Sequence, residues 1–374
     1  MGAFTEADAA FMREAIALAR QGWGRTHPNP VVGAVVAQEG EVLGRGFHAK
    51  VGAPHAEVAA LCGLEGKLSP QAVLYVTLEP CSTQGRTPPC TEAIRKAGVK
   101  RVLVGALDPN PQHAGRGLEL LRQEGIHVES GVLEADCRDL NLIFNHIITC
   151  ETPFIAGKLA VTLDGRTAAR SGDSKWISGT AARRDVMRWR RYFPAIGVGA
   201  ETVLMDNSRL SSRLEEEWCP WRFVFDRSLK TVKEPLPKLF SDTWREKTIV
   251  VTVAGADSDR KKMLAEANIS LWEIESDDEP RAFFEAFRCR CWKKDIGGVL
   301  IEGGSQLLSA CLACRQLDYL FSYRAPKILA DAFSVPMFEG METRNLEEGI
   351  RLRDVRHTIF GEDVLTRGFP VYPN

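Results

Sequence analysis

His55, Cys81 and Cys90 are residues of the types that ligate zinc, standing in Pro54-His55-Ala56-Glu57, Pro80-Cys81 and Pro88-Pro89-Cys90. One imidazole and two thiolates leave the fourth position of a tetrahedral zinc free for water, which marks a catalytic rather than a closed structural site. Zinc lowers the pKa of that water toward neutrality, so hydroxide becomes available without strong base. Glu57, two positions beyond His55, is not needed as a ligand and is placed to carry a proton from the hydroxide to a leaving amine. A lone His-Ala-Glu is ordinarily surface decoration or core packing; Pro-Cys with a third ligand in reach reverses that reading.

These residues need elements to hold them. Residues 56–64 read as a helix with His55 and Glu57 at its N-terminal end, and 91–97 as a second helix entered through Pro88-Pro89-Cys90. Helix N-termini favour anions, so the Cys90 thiolate, with Cys81 beside it, gains stabilisation there. A helix over 5–20 takes Thr5 as N-cap with Asp8 three residues on. Strands are expected over 31–37 and 41–47, joined at Glu39-Gly40, and over 73–77, 101–106 and 126–130, with a helix over 117–124. This alternation implies a sheet flanked by helices, its ligands at strand-to-helix turns on one edge.

The pattern restarts after Cys150-Glu151-Thr152-Pro153, which predicts two domains, 1–150 and 151–374. Strands are expected over 154–161, 195–199, 222–225, 248–253, 270–274 and 298–302, helices over 180–192, 281–288 and 305–314, and strand-like endings over 350–355 and 364–371. Gly197-Val198-Gly199-Ala200-Glu201-Thr202 and Ile301-Glu302-Gly303-Gly304-Ser305 each lead from a strand into a helix. Small residues there let backbone N–H groups approach a phosphate, although such glycines are more often plain tight turns.

Net charge is −1 over 374 residues, and the basic runs are short: Arg183-Arg184, Arg188 with Arg190-Arg191, and Lys261-Lys262. They suit discrete phosphate contacts, and no nucleic-acid partner is expected. Neither a membrane span nor a secretory leader is expected, and ten cysteines read as reduced cytoplasmic thiols. Cys289, Cys291, Cys311 and Cys314 can be drawn as a four-cysteine zinc site, but the last two belong to an apolar stretch that reads as buried helix.

His-x-Glu with Pro-Cys is the signature of zinc deaminases of nucleobase-like rings, although the gap from Cys81 to Cys90 is wider than the usual Cys-x-x-Cys. Further strings narrow the match: Thr26-His27-Pro28-Asn29-Pro30, Gly46-Phe47-His48, Val76-Thr77-Leu78-Glu79-Pro80-Cys81, Gly85-Arg86-Thr87-Pro88-Pro89-Cys90, Asp108-Pro109-Asn110-Pro111 and Ala114-Gly115-Arg116-Gly117. In the second half stand Gly157-Lys158-Leu159-Ala160, Leu163-Asp164-Gly165-Arg166-Thr167, Gly172-Asp173-Ser174-Lys175-Trp176-Ile177-Ser178 and Glu302-Gly303-Gly304. Almost end to end, the chain resembles the bifunctional deaminase–reductases of riboflavin biosynthesis, a family with the wide cysteine gap.

The resemblance implies a cytidine-deaminase-like three-layer α/β/α domain over 1–150 and a dihydrofolate-reductase-like α/β domain over 151–374. It implies zinc-dependent deamination of a diaminopyrimidinone carrying ribosylamine 5-phosphate, then NADPH reduction of the ribosyl group to ribityl. Carried over, His55, Cys81 and Cys90 hold zinc, Glu57 shuttles the proton, and Asn29, His48 and Arg86 contact the pyrimidine substrate. Ala160, Trp176, Thr202, Asp206, Gly304 and Ser305 contact NADPH. Lys158, Ser174, Arg190, Leu210, Arg213 and Glu302 face the reductase substrate, the arginines suiting its phosphate. A homo-oligomer in the cytoplasm is expected.

Two stretches depart from the family. Relatives read Cys-Ser-His-His-Gly where this chain has Cys81-Ser82-Thr83-Gln84-Gly85, and Asp-Asp-Pro-x-Leu-Thr where it has Asp206-Asn207-Ser208-Arg209-Leu210-Ser211. Two rival readings remain: a nucleic-acid base deaminase, and a working deaminase joined to a reductase-like domain kept for assembly.

Overall fold

The computed structural model describes residues 4–84, 88–214, 217–275 and 279–373, and the backbone separates after Glu151 into two units. The first opens on helix α1 (Glu6–Ala19), where Thr5 and Asp8 form a reciprocal capping box. Hairpin β1 (Gly33–Gln38) and β2 (Glu41–Phe47) follows, then α2 (Ala56–Leu61), β3 (Val73–Leu78), α3 (Cys90–Ala97) and β4 (Arg101–Ala106). The unit closes with α4 (Arg116–Gln123), β5 (His127–Ser130), α5 (Glu134–Asp139) and α6 (Leu142–Cys150).

Its five strands lie in the order β2-β1-β3-β4-β5, with β1 antiparallel to both neighbours and β3, β4 and β5 parallel. The parallel strands β3 and β4 are covered on both faces and so read as unbroken apolar runs. Leu74, Val76, Val102 and Val104 form the core with Ala56, Ala60 and Ile94 from α2 and α3. Because β1 runs against β2 and β3, its first residues share an edge with the last residues of both. The Gly33 amide donates to Thr77 Oγ1 at 3.1 Å along that edge.

Helix α2 presses directly on the β2 backbone. A Cβ on Gly46 would lie 2.2 Å from the Ala56 carbonyl oxygen and 2.5 Å from the Ala60 nitrogen, separations no side chain tolerates. Glycine at that position therefore sets the height of the helix that carries His55 and Glu57. The helix ends at Leu61, short of the expected 64, because Gly63 takes a positive φ and cannot extend it.

The second unit begins with β6 (Phe154–Val161), β7 (Arg166–Ala168), α7 (Thr180–Tyr192), β8 (Ala195–Gly199) and α8 (Ala200–Asp206). Short β9 (Ser212–Arg213) and β10 (Glu217–Trp218) precede β11 (Trp221–Phe225), α9 (Lys238–Ser241), β12 (Thr248–Val253), α10 (Ser258–Glu266) and β13 (Ser270–Ile274). Then come α11 (Pro280–Lys293), β14 (Gly298–Glu302), α12 (Ser305–Ala313), β15 (Tyr319–Arg324), β16 (Val335–Pro336), β17 (Arg351–Phe360) and β18 (Asp363–Val371).

A nine-stranded sheet in the order β13-β12-β11-β8-β14-β6-β15-β18-β17 forms its centre, with the first seven parallel and the closing hairpin antiparallel. An aromatic cluster of Phe223, Phe225, Trp272 and Phe287 fills one side. Strand β14, late in sequence, inserts between β6 and β8, so the carboxyl ends of these three lie side by side. Such an order change in an open parallel sheet creates the crevice where ligands bind.

Gly46→Ala should destabilise the first unit by about 3 kcal/mol, the upper end for overpacking, because the clash is with backbone. Thermal unfolding together with zinc content per chain checks this. An unchanged midpoint with full zinc would show that α2 does not depend on the close approach.

Candidate functional sites

Three segments distant in sequence converge on the β1–β3 edge of the first unit. His55 is the N-cap residue of α2, Cys81 follows β3, and Cys90 opens α3. Their ligand atoms all lie within 4.8 Å of one another, the one such group of histidine, cysteine and acidic residues among the described residues. His55 Nδ1 stands 3.2 Å from Cys90 Sγ and 3.6 Å from Cys81 Sγ. Tetrahedral zinc with ordinary Zn–N and Zn–S bonds needs an N···S edge of roughly 3.6 Å, so the three donors fit that ion.

The electrostatics favour a thiolate at Cys81. The Cys90 thiol donates to Cys81 and is the largest influence on it; with His55 and the Cys90 amide it outweighs burial and brings Cys81 down to about 4. The Cys90 amide, at the N-terminus of α3, reaches Cys81 Sγ at 3.3 Å. Cys90, as the donor and buried, is pushed up, while the hydrogen bond to Cys81 raises His55. Glu57 is buried beside this group, and burial lifts its carboxyl to about 7.

His48 and Asn29 complete the edge. The Pro54 carbonyl can only accept, so His48 Nδ1 carries the proton at 3.2 Å from it. Nε2 then accepts from the Asn29 carboxamide at 3.3 Å. Burial lowers the His48 pKa and keeps the ring neutral, packed edge-on at 5.4 Å from the His55 ring. Asn29, His48, His55, Glu57, Cys81 and Cys90 thus share one site, while Arg86 lies outside the described residues.

Sequence reasoning passed over Glu79, quoted only within a motif. It is buried, and its carboxylate accepts from three backbone amides, those of Asp108, Gly115 and Gly117. A buried carboxylate two residues before a metal ligand was the available signal. The four-cysteine alternative does not assemble: Cys291 and Cys311 are buried in α11 and α12, Cys289 is exposed, and burial pushes the Cys291 and Cys311 thiols up.

In the second unit Lys158 and Glu302 are register partners on β6 and β14. Arg190, on α7, closes a fork over Glu302, Nε to Oε1 at 2.6 Å and Nη2 to Oε2 at 2.8 Å, and spends Nη1 on the Ser211 carbonyl at 3.2 Å. Arg190 is therefore not on a solvated helix face, and it spends three of its five guanidinium N–H groups on Glu302 and Ser211. Burial lowers the Lys158 pKa against the pull of Glu302. Its ammonium lies 5.9 Å from the centre of the Tyr323 ring, whose hydroxyl donates to Asp185 at 2.7 Å.

Beside this cluster the two glycine turns meet. Gly303 and Gly304 take φ of 69° and 77°, a left-handed pair that glycine adopts freely. Cβ atoms there would stand 3.6 Å and 3.4 Å from Thr202 Oγ1, so Thr202 of α8 lies against the turn. Ser305, first residue of α12, has a buried hydroxyl that finds no hydrogen-bond partner among the described residues. Lys175 reaches Asp206 at 3.2 Å, bringing the Ser174–Trp176 stretch to the end of α8, with the Trp176 indole exposed and Arg183 4.6 Å above it.

Leu210 is buried at a φ of 54°. Fully buried Arg222 fixes that turn by donating to the Arg209 carbonyl at 3.0 Å while paired with Asp242. Ala160 is half-buried on β6, two residues from Lys158 on the same face, and Arg213 stands exposed on β9.

Residues 5–106 match the cytidine and deoxycytidylate deaminase zinc-binding region, and residues 153–366 match the RibD C-terminal domain. The chain is 37% identical to the riboflavin biosynthesis protein RibD of Actinobacillus pleuropneumoniae, over 96% of this chain and 95% of that one. It is 38% identical to the RibD of Aquifex aeolicus, over 96% and 98%. Among solved structures it resembles a Thermotoga maritima diaminohydroxyphosphoribosylaminopyrimidine deaminase/5-amino-6-(5-phosphoribosylamino)uracil reductase, with a TM-score of 0.74 and 34% identity over 98% and 99% of the two chains.

Glu302→Ala should cost the second unit about 3–5 kcal/mol by stranding the buried Arg190 guanidinium, whereas replacing both residues with apolar ones should cost far less. Denaturant unfolding of the two variants checks this; equal losses would mean that the pair is not coupled.

Proposed function

The chain belongs to the RibD family of riboflavin biosynthesis proteins, and from that premise we propose that it performs two successive steps, divided between its units at Glu151/Thr152. The first unit hydrolytically deaminates 2,5-diamino-6-(5-phosphoribosylamino)pyrimidin-4(3H)-one. The second reduces the ribosyl group with NADPH to give 5-amino-6-(5-phosphoribitylamino)uracil. The observation that carries this is the meeting of His55, Cys81 and Cys90 within 4.8 Å beside buried Glu57.

In the deaminase unit His55, Cys81 and Cys90 hold zinc, which when bound supplies a water acidified to near-neutral pKa. Glu57, lifted to about 7 by burial, can both accept and return a proton near neutral pH, the property a shuttle between attacking water and leaving amine needs. Neutral His48 fixes the Asn29 carboxamide so that its oxygen is left to receive donors on the pyrimidine. Arg86 is proposed as a further substrate contact.

In the reductase unit Ala160, Trp176, Thr202, Asp206, Gly304 and Ser305 hold NADPH, which supplies a hydride. The unpartnered Ser305 hydroxyl at the α12 N-terminus supports an anion there. Lys158 and Glu302 face the ribosyl group, with Ser174 and Leu210 shaping the pocket. Arg190 holds the Glu302 carboxylate in place, and its remaining N–H groups together with Arg213 face the substrate phosphate.

We extend the proposal to a cytoplasmic homo-oligomer. Ten free cysteines suit a reducing compartment, and among the described residues no helix is long and apolar enough to cross a membrane.

Glu57→Gln should retain one zinc per chain and lose ammonia release by about 10²–10⁴-fold, since ligation survives and proton transfer does not. Zinc chelation should stop ammonia release while NADPH consumption on supplied deaminated intermediate persists. Loss of both activities on chelation would place the two steps in one shared or zinc-dependent fold.

A further inference from the structure

The chain between β3 and the zinc ligand is held from behind. The Leu78–Ala106 pairing of β3 with β4 continues for one more backbone bond, Glu79 N–H to the Ala106 carbonyl at 2.9 Å. Pro80 has no N–H, so the ladder stops one residue short of Cys81. There the Glu79 side chain takes over. Oε2 accepts from Asp108 at 3.2 Å and Gly115 at 2.9 Å in the loop from β4 to α4, and Oε1 from Gly117 at 2.9 Å in the first turn of α4. The start of α4 is pressed on the strand end: a Cβ on Gly117 would lie 2.2 Å from the Pro80 carbonyl oxygen.

From the front, α3 grips the same residue, with the Thr91 amide on the Cys81 carbonyl at 3.3 Å and the Cys90 amide on its sulfur. Three convergent backbone N–H groups satisfy this buried carboxylate. No neutral side chain can replace it. A glutamine in this pocket would point its NH₂ at an amide N–H whichever way it turned.

We propose that Glu79 is a positioning residue for the zinc centre, its carboxylate tying the Pro80–Cys81 peptide to the β4–α4 loop and so fixing the Cys81 sulfur. This rests on the reading of His55, Cys81 and Cys90 as the ligands. Partners behind a ligand typically contribute 10–100-fold in metal affinity.

The test compares full-length wild type, Glu79→Gln, Glu79→Asp and Cys81→Ser, each loaded with zinc and challenged with excess EDTA. Zinc content, the rate of zinc transfer and amide exchange at Gly115 and Gly117 are measured, with NADPH consumption on supplied intermediate reporting the second unit. Glu79→Gln should bind one zinc but release it about 10–100-fold faster, with faster exchange at both glycines and unaltered reduction. Glu79→Asp, which keeps the charge one methylene back, should lie between. Wild-type transfer rates in Glu79→Gln, with the glycine amides freed, would overturn the proposal by showing that the tie folds the loop alone. Should Glu79→Gln fail to fold, a wild-type rate in Glu79→Asp would overturn it equally. Slow, stoichiometric zinc in Cys81→Ser would instead sink the ligand reading itself.

Discussion

Both candidate sites depend on one constraint: parallel strands must be followed by helices, and the turn between them exposes backbone N–H groups and reactive side chains at a single edge. In the first unit β3 ends at Leu78 and the chain must travel to α3, so Cys81 and Cys90 bracket that journey. In the second unit β8 and β14 end beside each other, and α8 and α12 begin at once, which places Thr202 against Gly303 and Gly304. Helix N-termini at these turns favour negative charge, so thiolates and phosphates are the groups such an edge stabilises.

The two sites use their buried charges differently. In the first, Cys90 donates to Cys81 with Glu57 close by, so three acidic groups are gathered at one point. The second is already neutralised, with Arg190 and Lys158 around Glu302. A carboxylate held by a bidentate guanidinium keeps a fixed direction and stays ionised, since the opposing charge outweighs the burial that would protonate it. Glu79 is a third solution, a carboxylate satisfied by backbone amides, which stiffens the strand end without placing a cation next to the candidate metal ligands.

Much of the fold was legible because its strands follow simple patterns. The apolar runs at 101–106, 154–161, 195–199 and 248–253 match the observed strands residue for residue. Helices α5, α6 and α10 and strand β15 escaped assignment, and α11 runs to Lys293 where 288 was expected. Tyr319–Arg324 carries a serine and an arginine among its apolar residues, and it is a strand because β6 on one side and β18 on the other pair with it. Propensity decides little where neighbouring strands supply every hydrogen bond.

Residue types and spacing alone singled out the candidate ligand set, the neighbouring glutamate and two α/β domains, because the chemistry admits few alternatives. Tertiary structure alone decided where Arg190 points. In the sequence it is one arginine among several, suited to a phosphate, and the fold buries it against Glu302, more than a hundred residues away. The role of Glu79 was likewise invisible, since its three partners belong to the segment from β4 into α4, which only the β3–β4 pairing brings near. A motif names the groups that can react; the burial and long-range pairing that fix their charge and direction arise only when the sheet closes.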